Sequence, residues 1–446
     1  MKPIGWISAS QDLIKVPRVF CIRRWLYLGT TATFALGSAA AQSLDVEAKF
    51  ASGGADAIQH SLLVSPGWKT RLGSALLDVE LRIEVADDDV GLGAISGFSD
   101  ASKPLLASED ARIEIERALL RFPMGNANLF LGKQVIAWGK LDGVRVTDAI
   151  NPIRLNEFVL TQDRPERIGL WAARLRGDLG AIQYDFAFAP DPTVDQLANP
   201  GNLYFPNAPR YRGGLSREVP LPTLMRESRN DYIDDAVYGA RFATTIGRVD
   251  LAASAISGPR HEALLAPFLD ENTMPAVRLE HPRRTLVGAT AAAPFGPTVI
   301  RLEAAVIPDE QMNTNDMGVV DKTEITRSLV GFGMDWNAPS DVFVNAQLVV
   351  DSVYDSPSTL VRDEHDVIGT IRIQRSFRND RITPRLETLF AADEGDAVFR
   401  PQIEFDANDT FDLIVGADLF TGDAEGIFGQ FADNGSRAWV SLKASF

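Results

Sequence analysis

Apolar and polar side chains alternate strictly along three stretches of this chain. In the clearest stretch, Leu77, Val79, Leu81, Ile83 and Val85 share one face while Asp78, Glu80, Arg82 and Glu84 share the other. The same period of two returns over residues 342–351 and 411–419. Successive side chains of a strand point to opposite faces, so this pattern predicts β-strands rather than helices. Weaker versions elsewhere bring the predicted number of strands to about 16.

The connections between these strands differ in length in a regular way. Tight turns are predicted near 123–127, 177–180, 245–248, 294–297, 338–341, 378–380 and 407–409. Longer polar segments separate them at 88–110, 139–166, 190–234, 259–283, 308–324, 354–364 and 422–435, and the stretch at 393–396 is a short exception. Short turns on one side and long loops on the other are typical of bacterial outer-membrane barrels. The sequence therefore predicts an all-β fold, a transmembrane antiparallel β-barrel of about 16 strands (14–18) with periplasmic turns and extracellular loops.

Residues 44–70 leave two alternatives open. Leu44, Val46, Ala48 and Phe50 alternate with polar residues. This segment could add a pair of strands to the barrel, or it could form a short N-terminal extension. An even number of strands with both chain ends on the periplasmic side is expected in either case.

The N-terminus has the features of a secretory signal. Basic residues up to Arg24 precede an apolar run over 25–36, and small residues follow at Ala39, Ala40 and Ala41. The apolar run is shorter than the roughly 20 residues of a spanning helix. We therefore expect a signal peptide over 1–41, cleaved near Ala41, and a single barrel domain over 42–446. The predicted location is the outer membrane of a Gram-negative bacterium.

Charge and residue types argue against several classes of function. The chain has a net charge of −16, and removal of residues 1–41 takes away five basic residues and one acidic residue, which makes it −20. Nucleic-acid binding needs a basic surface, so it is not expected. Cys21, the single cysteine, lies in the predicted signal, and the four histidines (His60, His261, His281 and His365) lack metal-site spacing. No cofactor, no metal and no enzymatic activity are predicted.

The charged faces of the strands are expected to line the lumen, because an unsatisfied polar group in hydrocarbon is costly. The candidate pore-lining residues are Glu80, Arg82, Glu84, Arg112, Glu114, Arg301, Glu303, Arg372, Arg385, Glu387, Arg400 and Glu404. These charges could create a transverse field that orients solutes in a water-filled pore. Alternatively, they form a network of salt bridges that satisfies a narrow interior.

Two long loops are candidates for the constriction of a pore. Loop 190–234 is rich in proline, and it combines aromatic residues with arginines such as Arg210 and Arg212. It could fold into the mouth, or it could remain a solvated loop that touches lipopolysaccharide or a neighbouring subunit. In loop 139–166 the candidate residues are Asp142, Arg145, Asp148, Asn151 and Arg154, preceded by Trp138. We expect Trp138 at the membrane interface and the Asn151–Pro152 turn in a loop-fixing role.

One block of sequence resembles a known family. Leu131-Gly132-Lys133-Gln134 leads to Trp138-Gly139, and Asp142, Asn151-Pro152 and Glu157-Phe158 follow. This block is similar to the core motif of a family of proteobacterial outer-membrane proteins of unknown function, which are porin-like and carry a Gly-Arg/Lys-Gln…Trp-Gly…Asp…Asn-Pro motif. Lys133 stands where the family has Arg. The resemblance implies a role in envelope transport, next to exporters of hydrophobic compounds.

The leading functional hypothesis is a porin-like channel for small solutes, with selectivity set by the mixed-charge lumen and by loops 139–166 and 190–234. The alternatives are an occluded conduit for hydrophobic compounds that works with an envelope exporter, and a structural barrel that does not conduct. The expected partners are outer-membrane lipid, lipopolysaccharide and the barrel-assembly machinery, with self-association left open. A terminal aromatic residue resembles the signal read by that machinery, so Phe446 is the predicted assembly signal and the seam of the barrel.

Overall fold

The computed structural model describes residues 42–53, 58–87, 92–160, 166–220, 223–226, 231–270 and 272–446. The predicted signal peptide over 1–41 lies outside the described residues. Ser43–Phe446 form one compact unit. Within the described residues, no helix has the length and apolar character needed to cross a membrane.

Eighteen strands form one closed sheet. Their bounds, numbered β1 to β18 in chain order, are Ser43–Gly53, Ile58–Leu72, Ala75–Ala86, Ala111–Met124, Ala127–Gln134, Leu170–Leu179, Ile182–Ala189, Val237–Ile246, Val249–Pro259, Arg283–Phe295, Thr298–Asp316, Val319–Ala338, Val342–Tyr354, His365–Arg375, Ile382–Ala391, Asp396–Asp406, Phe411–Thr421 and Arg437–Ser445. Each strand pairs antiparallel with the next, and β18 pairs with β1 to close the barrel. One further two-residue strand, Leu106–Ala107, pairs with β4.

The predicted fold class is confirmed. The observed number of strands lies at the upper end of the predicted range, because residues 44–70 supply a pair of strands, β1 and β2. The ambiguity in this segment is therefore decided in favour of the barrel. The start of β1 and the end of β18 lie on the side of the short turns, and the Leu44 and Phe446 backbones exchange two hydrogen bonds of 3.1 and 3.0 Å across the seam.

The two faces of the sheet differ sharply in exposure. On β17, Leu413, Val415 and Leu419 are exposed, while Ile414 and Asp418 on the alternate positions are buried. The register places Asp418 opposite Arg437, and Arg437 contacts residues of the loops inside the barrel. An apolar outer surface suits contact with hydrocarbon, and a polar interior suits water and folded loops.

The prediction of a loop over 308–324 is wrong. β11 and β12 continue through this segment as a long hairpin and pair as far as Asp316 and Val319, with a bulge between Ile307 and Glu310. About 10 residues suffice for a strand to cross the membrane, so strands of 19 and 20 residues project well beyond it. Met312 and Ile325, two apolar residues of the projecting hairpin, pack together with Val353. Most other residues of this segment are polar, so the sequence pattern did not reveal the strands.

The inner wall carries apolar as well as charged residues. Leu286, Ile307, Leu329 and Val349, from four consecutive strands β10 to β13, are buried on the inward face. They pack against Leu141 and other apolar residues of the loop between β5 and β6. The rule that inward positions of a barrel are polar therefore fails where a folded loop covers the wall.

The loops carry their own short elements. These are the strands Arg154–Leu155, Gln196–Leu197, Thr223–Arg226, Leu264–Leu269 and Pro275–Glu280, and the 3-10 turns Ile95–Gly97, Phe158–Leu160, Pro209–Tyr211 and Gly429–Phe431. Arg154–Leu155 pairs with Gln196–Leu197. Thr223–Arg226 pairs with Pro275–Glu280. Backbone pairing therefore joins loop 135–169 to loop 190–236 and joins loop 190–236 to loop 260–282.

Candidate functional site: the loop-lined barrel interior

Loop 135–169 lies inside the barrel and is anchored to the far wall by Glu303. One carboxylate oxygen of Glu303 accepts hydrogen bonds from the backbone N–H groups of Lys140 and Leu141, the latter at 2.8 Å. The other oxygen accepts from the Thr147 backbone at 2.9 Å and from its hydroxyl at 2.7 Å. Glu303 is buried, so this carboxylate is a fixed acceptor for the loop.

The neighbouring strands extend this anchor. Gln347 Oε1 accepts from the backbone N–H groups of Asp142 and Gly143 at 3.1 and 2.9 Å. On β12, a Cβ added at Gly331 or at Gly333 would lie 2.5 Å from the side chain of Leu141. These two glycines allow the loop to lie directly on the wall.

Asn151 joins the two ends of the loop. Its Oδ1 accepts from the Ile136 backbone N–H at 2.7 Å, and its Nδ2 donates to the carbonyl oxygens of Ile168 at 2.7 Å and Gln134 at 3.3 Å. The side chain is completely buried. A buried amide with its hydrogen bonds satisfied in this way fixes the geometry of the backbone around it.

The expectation that Trp138 lies at the membrane interface is wrong. β5 ends at Gln134, and Trp138 is buried inside the barrel, where its Nε1 donates to Asp185 at 3.1 Å. Gly239 faces the ring, and a Cβ there would lie 2.7 Å from it. The loop turns inward because Trp138 and Ile150 pack into an apolar cluster inside the barrel. The indole ring is therefore shielded from water instead of lying at the membrane interface.

The second half of the loop runs along the opposite wall. Arg154 contacts Glu114 at 2.7 Å and Glu116 at 3.0 Å. Glu157 contacts Lys49 at 2.9 Å and Arg437 at 2.8 Å. Burial alone would raise the pKa of Glu157, but Arg437 and Lys49 hold it well below its ordinary value. Glu157 is therefore ionised at neutral pH and pins the loop to the seam strands.

Loop 190–236 crosses the mouth of the barrel. Its Tyr204 is buried and donates to the Gly435 carbonyl at 3.0 Å. Arg210 bonds to Asp366 at 2.8 Å and to Glu394 at 2.7 Å on the far side. These contacts favour the alternative in which the loop folds into the mouth over a fully solvated loop.

Alternating charges run along the extracellular rim of the inner wall. Each member contacts the next within 4 Å, in the order Glu394, Arg210, Asp366, Arg362, Asp351, Arg327 and Glu310. Glu310 also contacts Arg284 and Arg260, and Arg260 contacts Glu262. This set, the rim chain, contains five arginines and five carboxylates. Its charges therefore balance. This favours the alternative in which the charges satisfy one another as salt bridges over the alternative in which they create a transverse field across the pore.

The loops and the wall enclose a chamber of about 760 Å³. Its lining includes the arginines Arg145, Arg154, Arg210, Arg260, Arg284, Arg327, Arg362 and Arg400 and the carboxylates Asp148, Asp195, Glu262, Asp351, Asp366 and Glu387. Eight arginines face six carboxylates here, although the whole chain is strongly acidic. The local electrostatics of the chamber therefore differ from those of the molecule.

Two titratable loop residues line the chamber between loops 135–169, 190–236 and 260–282. Burial raises the pKa of Asp195 to about 6, although Arg145 and a 2.8 Å hydrogen bond from the Ile153 N–H oppose the shift. Burial, together with Arg145, lowers the pKa of His261 well below its usual range. Near neutral pH, Asp195 titrates while His261 stays uncharged.

The residues singled out from sequence are divided by the structure. Six of them line the chamber: Arg145, Asp148, Arg154, Arg210, Glu387 and Arg400. Trp138, Asp142, Asn151, Glu303 and Glu114 hold loop 135–169 in place, and Arg212 bonds within its own loop to Asn207 and the Val219 carbonyl.

The other pore-lining candidates form ion pairs or polar contacts on the wall. Arg82 contacts Glu84 and Glu166, Glu80 contacts Arg117, and Arg112 donates to the Gly93 carbonyl. Arg301 contacts Asp335, Arg372 contacts Glu387, and Arg385 lies 3.7 Å from Glu404.

Sequence reasoning missed much of the rim chain. Arg260, Arg284, Arg362 and Asp366 lie at strand ends or in the segments between strands, where alternation does not assign a face. Arg327 and Asp351 could have been found, because each follows the period of its strand into the inward face. The other members of the rim chain could be assigned only from the positions of the loops in the structure.

A closed barrel of this size, with an apolar exterior and loops folded into a charged interior, defines an integral outer-membrane barrel with an internal chamber. No family model matches the chain, and no curated protein matches it. It is similar in structure to OccAB4 of Acinetobacter baumannii, with 8% identity, 91% of this chain and 97% of that chain covered, and a TM-score of 0.49. The outer membrane protein opdK of Pseudomonas aeruginosa has 9% identity, the same coverages and a TM-score of 0.48. OccD3 (OpdP) of Pseudomonas aeruginosa has 6% identity, coverages of 91% and 90%, and a TM-score of 0.48.

Proposed function

We propose that the chain is an outer-membrane channel for small solutes whose selectivity is set in the loop-lined chamber. The observation that carries this proposal is the chamber itself, a cavity of about 760 Å³ inside a closed barrel, lined from loops 135–169, 190–236 and 260–282 and from the wall. A barrel that served only as a structural support would need no such internal surface. Cavities of this size commonly hold small organic molecules.

Arg210 is the residue through which loop 190–236 controls passage in this proposal. Its ion pairs with Asp366 and Glu394 tie the loop across the mouth, and its side chain lines the chamber. When these pairs are lost, the loop should move away from the far wall. The pore should then widen.

Planar bilayers test the channel and the role of Arg210 together. The purified full-length barrel should conduct, and Arg210→Gln should raise single-channel conductance about twofold and increase current noise, since partly buried ion pairs hold a loop more firmly than exposed ones. The matched control is Arg278→Gln, an exposed arginine of loop 260–282 outside the chamber lining, which should leave the current unchanged. Folded protein that gives neither conductance nor solute flux in liposomes would sink the proposal.

Delivery and partners belong to the same proposal. Residues 1–41 would direct export, Phe446 would be read by the barrel-assembly machinery, and lipid with lipopolysaccharide would surround the outer face. We also propose that the chain is related to the porin-like family that its Gly132–Pro152 motif resembles. In the same way, we propose that it cooperates with an envelope exporter. The buried hydrogen bonds of Asn151 and Trp138 support a structural role for the motif rather than direct solute contact.

A further inference from the structure

Apolar side chains on several elements face the chamber without being fully covered. Val159 of loop 135–169, Tyr211 of loop 190–236, Ile368 of β14 and Leu389 of β15 all line it and are partly exposed, Tyr211 by 36%. We call these four residues the apolar patch. Tyr211 packs edge-on against Phe158 at 6.2 Å, and Val159, Ile368 and Leu389 pack around the same cluster. Exposed apolar area gathered in one place marks a contact surface.

The apolar patch adjoins the rim chain. Arg210 directly precedes Tyr211, and Asp366 lies two residues before Ile368 on the inward face of β14. The chamber therefore offers an apolar surface with hydrogen-bond donors and acceptors at its edge. A molecule with an apolar body and a polar end matches that arrangement.

The charge balance of the rim chain determines which polar end fits. Five arginines alternate with five carboxylates, and each contacts an opposite charge within 4 Å. A solute with a net charge would lose hydration and meet charges that are already paired. An uncharged head that both donates and accepts hydrogen bonds avoids that cost.

We propose that the chamber is a binding site for an electroneutral amphipathic organic molecule, with an apolar body of about one ring against the apolar patch and an uncharged polar end at the Arg210–Asp366 part of the rim chain. This inference rests on the proposed channel function and specifies the solute class of the same chamber. The volume of about 760 Å³ admits such a molecule.

Three probes with one apolar body separate the possibilities: 3-phenylpropanol, 3-phenylpropionate and 3-phenylpropylamine. Calorimetry on the detergent-solubilised full-length barrel measures binding whether or not the barrel conducts. The alcohol should bind at least about tenfold more tightly than either ion, because it sacrifices no hydration of a charge. It should also block the current in planar bilayers at matching concentrations.

Variants locate the binding surface. Tyr211→Ala and Val159→Ser should each weaken 3-phenylpropanol binding at least about fivefold, since each removes apolar contact area. Val219→Ser is the matched control, because Val219 is 43% exposed on loop 190–236 but does not line the chamber. Its binding should be unchanged.

The outcomes are distinguishable from those of the channel experiment. Tighter binding of 3-phenylpropionate or of the amine overturns the electroneutral head. Equal binding by wild type, Tyr211→Ala and Val159→Ser overturns the site, and so does conduction with no binding of any probe. Binding of the alcohol without conduction supports the site and counts only against the proposed channel function.

Discussion

Asp195 is a residue of the chamber lining whose charge should change near pH 6. Its carboxylate is buried in the chamber lining and accepts the Ile153 N–H, which links loop 190–236 to loop 135–169. Burial raises its pKa to about 6, against about 3.9 for an ordinary aspartate. The folded state therefore holds the proton more tightly than the unfolded state. The resulting stabilisation is complete below about pH 4 and is lost as the pH rises through about 6.

We expect ion selectivity to follow this titration. As the pH falls from 8 to 5, the chamber loses one negative charge, so the anion-to-cation permeability ratio should rise with a midpoint near pH 6. Reversal potentials under a salt gradient measure the ratio. Asp195→Asn should show the low-pH ratio throughout, without the step. The nearby His261 contributes nothing, because burial and Arg145 keep its pKa well below this window.

Glu262→Gln is the control for that experiment. It removes another carboxylate from the chamber lining, so it should shift the ratio at every pH and keep the step, with the midpoint at a lower pH because Glu262 helps to raise the pKa of Asp195. A step that persists in Asp195→Asn would show that another group titrates.

Residue types by themselves identified some of the site and missed the rest. Arg145, Asp148 and Arg154 were predicted as constriction candidates, and they line the chamber. Trp138 was misplaced, because an aromatic residue near a strand end suits the interface equally well when the direction of the following loop is unknown. Its burial in the cluster with Ile150 and its hydrogen bond to Asp185 show that it points inward.

Loop 135–169 depends on long-range bonds to strands of the far wall. Glu303 holds Lys140, Leu141 and Thr147, which are more than 150 residues away in the chain. Gln347 holds the next two residues of the loop. The loop has little regular structure of its own, so its path is set by these acceptors.

Replacement of Glu303 should release this loop. In Glu303→Gln, one carboxylate oxygen becomes an amide NH₂ that faces backbone donors, so two or more hydrogen bonds are lost, at a cost of about 2–3 kcal/mol. We expect faster proteolysis within 139–148 and higher current noise, with the barrel still folded by circular dichroism.

The control for the loop experiment is Glu404→Gln. Glu404 is an inward carboxylate of the barrel wall that faces Arg385 at 3.7 Å. Its variant should retain wild-type resistance to protease. Equal protection of the loop in Glu303→Gln and in wild type would show that the wall contacts do not hold it.

The whole molecule depends on one seam. β18 pairs with β1 over nine residue pairs, and the backbones of Phe446 and Leu44 continue the pairing. The Phe446 ring packs edge-on against Phe411 at 6.0 Å and is otherwise exposed on the outer face. Closure leaves no unpaired strand edge in the hydrocarbon.

Deletion of Phe446 should impair assembly rather than the finished barrel. We expect the level of folded, heat-modifiable protein in the outer membrane to fall at least about fivefold, because the deletion removes the backbone pairing with Leu44 and the aromatic residue that we propose as the assembly signal. Quantitative immunoblots of membrane fractions measure this. Phe446→Tyr keeps the aromatic ring and should assemble normally, and wild-type levels of the deletion would contradict the assignment.

The sequence by itself determined most of the strands, their faces and the class of fold. Period-two alternation is local, since each side chain's face follows from its neighbours two residues away, as along Leu77–Val85 and Phe411–Leu419. The order of short turns and long segments then fixed an antiparallel barrel. Segment 44–70, which the sequence left ambiguous, shows the same alternation and forms two strands of the barrel.

Tertiary structure alone decided where the loops lie and therefore what the interior presents. The Glu303 and Gln347 anchors, the rim chain from Glu394 to Glu262 and the apolar patch all join residues far apart in the chain. No periodicity records such contacts, because a loop's path depends on whichever distant donors, acceptors and apolar surfaces it meets. The barrel could be predicted from local pattern, and the chamber could not.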